Sequence, residues 1–394
     1  MSPATPRSPL PDFALERYFA RWEFAVRHLL CASDVEGYPM AELLALADDE
    51  TRGLWADLRL GYTEAAGHPL LRAEIAGLYR GIAPDDVLVF SGAEEAIYCT
   101  LSVLLGPGDH AIVVWPAYQS LHEVARASGA DVTLHELREA DGWRLDVERL
   151  VASFRPATRV VVVNAPHNPT GMLPSAAEWA GLVEACDAAG VRLLADEVYR
   201  FLEHDPADLI AAGAETGPRN ASIGVMSKSF AMAGLRIGWL ATRDRELLAR
   251  VGAFKDYTTI CPPGPSEILS IIALRARDRV LERSHRIVRA NLALLDGFFE
   301  RWADVVTWVR PVAGPVGFPR LVRQGGGDGR GGGLPGGGID ALAADLVESE
   351  GVLLLPASQF GVDEHHFRLG FGRDGFGEGL AAFERYLERT VRLA

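Results

Sequence analysis

Cysteine is scarce in this chain. The 394 residues hold four, Cys31, Cys99, Cys186 and Cys261, far apart and in no CxxC pair. That argues against a disulfide framework or a zinc site, fits a reducing compartment, and leaves each cysteine as a small core hydrophobe. Long apolar runs are also missing: none approaches the ~20 residues that a membrane span needs. Residues 1–11 are rich in Pro and Ser but lack the apolar core of a signal peptide, so they read as a disordered tail on a cytoplasmic protein. Positive charge is in deficit, with a formal net charge of −14 and a pI near 5.2. Neither nucleic acid nor an anionic membrane is an expected partner. No internal repeat is visible.

What is present belongs to an ordinary soluble globular chain, with 48% hydrophobic and 23% charged residues. The length suits one large domain plus a smaller one. Apolar positions at helical spacing (Phe13, Tyr18, Trp22, Val26, Leu29) predict a helix over residues 12–30, and residues 40–47 read as a short second helix. A turn-rich loop over residues 60–69 leads into a helix to about Tyr79. Strands then alternate with helices. Strands are expected over 87–90, 111–115, 132–135, 160–163, 192–195, 221–226 and 237–241, and helices from about residue 93 to 105 and over 119–128 and 176–189. The four valines at 160–163 read as a strand buried on both faces. Such alternation means a mostly parallel α/β sheet, whose ligands sit beyond the C-terminal ends of the strands. Residues 266–301 read as one long or kinked helical region leading to a C-terminal α+β part. The expected division is a tail over 1–11, an N-terminal segment over 12–59 that joins the small domain, a large domain over 60–300, and a small domain over 301–394. A glycine-rich stretch at 325–338 contains GxGxxG by arithmetic (Gly327, Gly329, Gly332), but no strand-then-helix context frames it, so it reads as a flexible surface loop.

The polar residues of interest each follow a predicted strand. Asn168 lies in the loop after 160–163, Asp196 and Tyr199 follow 192–195, and Ser227 and Lys228 follow 221–226. The turn Ser91-Gly92-Ala93-Glu94-Glu95 opens a helix, whose backbone amides make an anion site. Arg236 adds a cation that can fork onto phosphate. A lysine beside an apolar strand is unusual, because burying an ammonium is costly; burial lowers its pKa and makes it a nucleophile toward carbonyl compounds. A phosphate cradle, an aldehyde-trapping lysine and a buried carboxylate are together what pyridoxal phosphate requires. Singly, each residue has a blander role open to it: Asp196 as a helix cap, Tyr199 as core packing, Asn168 as a turn former, Lys228 as a snorkelling surface residue.

In this order and near this spacing, Asn168-Pro-Thr-Gly171, Asp196-Glu-Val-Tyr199 and Ser227-Lys228…Arg236-Ile-Gly238 resemble the class I/II aminotransferases, pyridoxal phosphate enzymes of fold type I. The resemblance runs from about Leu60 to Gly370. It implies a three-layer, mostly parallel α/β sheet with a smaller α+β domain made from the N- and C-terminal segments. It also implies that Lys228 forms a Schiff base with the cofactor and later shuttles a proton. By the same resemblance Asp196 pairs with the ring nitrogen, Asn168 and Tyr199 bond the phenolate oxygen, and Tyr118 stacks on the ring. Ala93, Glu94, Ser227 and Arg236 would hold the phosphate, joined by Tyr62 from the partner subunit of a homodimer. Arg368 would bind the substrate carboxylate as a bidentate pair, and Gly37 would be a lid contact. Two departures stand out. Val225 replaces a Ser or Gly usual three residues before the lysine, and Glu94 and Glu95 place acid beside the expected phosphate.

The implied activity is transfer of an amino group between an L-amino acid and a 2-oxo acid, with no metal. Enzymes of this fold that eliminate at Cβ or Cγ and then close a ring, for example on a hydroxylated arginine, share the cofactor residues, so a lyase or cyclase stands as the alternative. The acidic residues Asp34, Glu36, Glu94 and Glu95 make a cationic substrate conceivable. A cofactor-sensing transcription regulator is a remote third reading, since such proteins carry an extra basic DNA-binding domain and this chain is acidic.

Overall fold

The computed structural model describes residues 10–322, 338–363 and 365–392. The expectations for a disordered tail and for a flexible glycine-rich loop lie almost wholly outside those residues. Along the chain the strands are β1 (His28–Leu29), β2 (Val87–Phe90), β3 (His110–Trp115), β4 (Asp131–Glu136), β5 (Thr158–Asn164), β6 (Arg192–Asp196), β7 (Ala221–Val225) and β8 (Gly238–Thr242). The short strands β9 (Val306–Thr307), β10 (Val316–Gly317), β11 (Arg320–Leu321), β12 (Val352–Leu353), β13 (Leu355–Pro356) and β14 (Phe367–Gly370) follow.

Strands β2 to β8 form one sheet in the order β2-β8-β7-β6-β5-β3-β4. All neighbours are parallel except at β8, which runs antiparallel to both β2 and β7. The valine run in β5 shows why such strands need no polar alternation. Val160 and Val162 pack into one apolar cluster with Leu194 and Ile223, while Val161 and Val163 pack into another with Leu193 and Ala195. Burying a valine on either face contributes about 2 kcal/mol, so the strand is held from both sides. The direction of β8 was not legible in its sequence, and it matters. Because β8 runs backwards, its first residue, Gly238, pairs with the last residues of β2 and β7. Arg236 is thereby delivered to the same sheet edge as the ends of β5, β6 and β7.

Local chemistry sets the helix ends. Helix 176–189 opens on a reciprocal cap, in which Ser175 Oγ accepts from the Glu178 N–H and the Glu178 carboxylate accepts from the Ser175 N–H. It closes on Gly190 at φ +69°. The helix expected over 12–30 is shorter, spanning Ala14–Trp22. The rest of that stretch turns into β1, which pairs in parallel with β12, so long-range pairing overrides the helical period there. The region expected as one long or kinked helix over 266–301 takes the kinked form, two helices, Gly264–Arg275 and Arg277–Arg301, broken at Ala276 (φ −96°, ψ +19°). A helix at Asp49–Ala56, capped by Asp48 through the Thr51 N–H, was not foreseen.

The N-terminal segment lies against the C-terminal strands. The Gly370 N–H donates to the Leu30 carbonyl and the Glu36 N–H to the Gly372 carbonyl. A Cβ on Gly370 would run into the Ala32 carbonyl. Gly370→Ala is expected to cost about 3 kcal/mol by overpacking, read as a lower denaturation midpoint in chemical unfolding, with the loss falling on the packing of residues 28–36.

Candidate active site

The C-terminal sheet edge borders a cavity of about 440 Å³. Asp196 closes β6 and is 4% exposed. Its side chain accepts one hydrogen bond, from the Val198 N–H at 3.3 Å. Burial pushes its carboxyl up to about 7, partly offset by that bond and by the charge on Lys228. Asn164, at the end of β5, fixes the neighbourhood: its Nδ2 donates to the Asp196 carbonyl at 2.9 Å, and its Oδ1 accepts from the Asn168 N–H at 2.6 Å. The Asn168–Pro169 peptide is cis.

Lys228 is half-buried in the cavity wall and donates from Nζ to Ser33 Oγ at 2.9 Å. Its Nζ lies 5.9 Å from the ring centre of buried Tyr199, whose hydroxyl makes no hydrogen bond among the described residues. It is therefore not a snorkelling surface lysine. Tyr118 lines the same cavity and donates its hydroxyl to Glu16 at 2.9 Å.

A second group of residues forms a cradle. Gly92 caps helix 93–104 with φ +106° and offers no side-chain cap, so the first-turn amides of Ala93 and Glu94 have no intrahelical partner. Arg236 is exposed and makes no ion pair among the described residues; its one hydrogen bond goes to the Ala233 carbonyl at 3.2 Å. A Cβ on Gly92 would sit 2.6 Å from Arg236 Nη2, and one on Gly238 would sit 2.6 Å from the Ala93 nitrogen. Glycine at both places lets turn, strand and guanidinium converge. Ser227 is buried beside them, and Val225, the departure already noted from a usual Ser or Gly, presents an apolar wall. The acid pair divides. Glu95 turns away, accepting from the Ser91 N–H and from Thr258 and Thr259. Glu94 stays on the cavity wall, accepts from Ser120 Oγ at 3.0 Å, and is pushed up to about 7, chiefly by burial.

Arg368, on β14, is 1% exposed. It donates from Nε and Nη2 to the Cys31 carbonyl, at 3.1 and 2.8 Å, and from Nη1 to Asn168 Oδ1 at 3.1 Å. No carboxylate among the described residues pairs with it. One expected site residue, Gly37, is not brought to this cavity, and Tyr62, expected from the partner subunit, lies outside it as well. Tyr62 is 90% exposed and lines a separate surface pocket. Gly37 is exposed, outside the cavity wall, and its carbonyl accepts from Arg283 at 3.4 Å. In the place foreseen for Gly37 the N-terminal segment supplies Glu16, Glu23, Ser33 and Asp34. Of these, only Asp34 stood out in the sequence; Glu16, Glu23 and Ser33 reach the cavity only through tertiary packing. One compositional sign for the lysine was present: lysine occurs only at 228 and 255. Lys255 is buried and bound to the Ala65 and Ile260 carbonyls, in a structural role.

The family model for aminotransferases of class I and II matches residues 39–375. The chain belongs to that family. It is similar to capreomycidine synthase from Streptomyces vinaceus, 29% identical over 99% of this chain and 96% of that one. A pyridoxal phosphate-dependent aminotransferase structure from Streptococcus suis superposes with a TM-score of 0.88, at 27% identity over 97% of this chain and 98% of that one. The structure of the pyridoxal phosphate-dependent cyclase OrfR gives 0.85, at 30% identity over 98% and 100%. The fold is that of the fold type I enzymes, and the cofactor is pyridoxal phosphate.

The residues present fit that cofactor. A buried carboxylate with one long hydrogen bond suits a protonated ring nitrogen, and an unpaired guanidinium over free helix amides suits a phosphate. Without cofactor, folded Asp196 keeps a proton that the unfolded chain has released once pH passes its ordinary 3.8. The stability of the cofactor-free protein should therefore fall as pH rises from about 4 to about 7 and then level off, as far as this group contributes. Asp196→Asn should flatten that fall in denaturant titrations across the window, and should weaken cofactor binding at least about tenfold.

Proposed function

We propose that this protein is an aminotransferase that moves an amino group between an L-amino acid and a 2-oxo acid. The observation that carries the proposal is Arg368: a guanidinium buried to 1% without a carboxylate partner, opening onto the cavity that holds Lys228 and Asp196. An unneutralised buried cation is costly, and an α-carboxylate forked onto it removes that cost. Both substrates of a transaminase carry that group.

Pyridoxal phosphate, when bound, supplies the aldehyde that carries the amino group and a ring that draws off electrons. The chain does the rest. Asp196 keeps a negative charge at the ring-nitrogen end, while Ser227, Arg236 and the Ala93 and Glu94 amides hold the phosphate end. Tyr118 forms a wall of the cofactor site, and Tyr199 and Asn168 provide hydrogen bonds to the ring oxygen. Asn168 also holds Arg368 in place through its Oδ1. Lys228 Nζ, steadied by Ser33, takes a proton from the substrate α-carbon and returns one. A homodimer belongs to the same proposal: Tyr62, a large aromatic at 90% exposure, suits a contact to the neighbouring subunit's cofactor site. Four free cysteines, three of them buried, support a cytoplasmic setting.

A second reading keeps every cofactor residue and changes the outcome to elimination with ring closure. What favours it is the whole-length likeness to the cyclase OrfR. Nitrogen labelling separates the two. With a labelled amino donor and a 2-oxo acid acceptor, transamination places the label in the amino acid made from the acceptor and leaves the donor as its 2-oxo acid. Label retained in a cyclic product, with no 2-oxo acid formed, would establish the second reading instead. Arg368→Ala should lower kcat/KM for the donor at least about a hundredfold, mainly through KM, in steady-state assays.

A further inference from the structure

Charge on the cavity wall is out of balance once the cofactor and the α-carboxylate are accounted for. Its cations are Lys228, Arg236 and Arg368, and each has a role in the proposed reaction. Asp196 is matched to the ring nitrogen, and Glu94 is held by Ser120. Three further carboxylates remain, all from the N-terminal segment: Glu16, Glu23 and Asp34.

Their partners differ. Asp34 is paired with Arg373 Nη2, at 2.8 and 3.0 Å. Glu16 accepts from the neutral phenol of Tyr118, so its charge is oriented but not cancelled. Glu23 accepts no hydrogen bond and forms no ion pair among the described residues, although it is half-buried. Burial holds its carboxyl above the ordinary range, and the charges of Asp34 and Glu16 act in the same direction, opposed by Arg373 and Lys228. Glu16 and Glu23 stand two turns apart along helix 14–22 and its C-cap, and thus on one face. That face lines the same cavity as the sheet edge.

We propose that Glu16 and Glu23 form a subsite for a cationic substrate side chain, a guanidinium or an ammonium. The proposal rests on the reading of this cavity as an amino-acid site, and it holds for either outcome of the reaction. An acidic side chain would meet three carboxylates, and a neutral one would leave Glu23 desolvated and unpaired; both count against such substrates. A cation compensates Glu23 directly, and a guanidinium is wide enough to fork toward Glu16 as well.

L-Citrulline is the neutral analogue of L-arginine in size and shape, so the pair isolates charge. Holoenzyme is titrated with L-arginine, L-lysine, L-citrulline and L-glutamate while the cofactor's visible absorbance is followed. Half-saturation for arginine is expected at least about tenfold below that for citrulline, with glutamate weakest. Glu23→Gln is expected to reduce the arginine-over-citrulline preference at least about fivefold, and a ratio is insensitive to partial unfolding. Citrulline or glutamate perturbing the absorbance at concentrations as low as arginine would overturn the subsite while leaving the amino-acid site intact. Absorbance unmoved by every amino acid would overturn the underlying reading, and the subsite with it. Should the variant fail to fold, the comparison in the unaltered enzyme decides alone.

Discussion

A buried acid and a buried base, Asp196 and Arg368, face one cavity without pairing with each other. Asp196 ends β6 with a single long hydrogen bond, and Arg368 lies in β14 with carbonyl and amide acceptors only. Isolated ions in a protein interior are destabilising: without ligands Asp196 escapes that cost by holding its proton up to about pH 7, while Arg368 bears it. In the proposed reaction, the cofactor ring nitrogen and the substrate carboxylate would supply the missing counter-charges. Both residues line the cavity that also holds Lys228.

The sheet supplies half of that cavity. Parallel strands β5, β6 and β7 end at one edge and set out Asn168, Asp196 and Lys228 at or just beyond their C-terminal ends. The reversed strand β8 brings Arg236 to that edge from the opposite direction, against Gly92. The other half comes from the chain ends: β14 carries Arg368, and the N-terminal segment packed on it carries Ser33 and the acidic wall.

Legibility followed the range of the forces involved. Apart from β4, the strands of the large sheet are buried on both faces, so their positions were plain from residues such as Val160 to Val163. Asp196, Ser227 and Lys228 were legible because they follow those strands directly. Residues 23–29 were misread as helix because Val26 and Leu29 keep a helical period, while pairing with Val352 and Leu353, more than three hundred residues away, decides their conformation. Glu23 and Ser33 escaped notice for the same reason: nothing near them in sequence marks them, and Ser33 reaches Lys228 across 195 positions. Gly37 shows the converse, since motif position alone does not bring a residue to the cavity wall.

The central claim is that Lys228 is the residue that captures the cofactor, and lysine scarcity makes it directly testable. Protein loaded with pyridoxal phosphate and reduced with borohydride should carry the pyridoxyl mass on the peptide containing Lys228, in near-stoichiometric yield. Lys255, bound by two carbonyls in the interior, should remain unmodified. Label on Lys255, or no fixed label in protein that retains cofactor through gel filtration, would contradict the assignment.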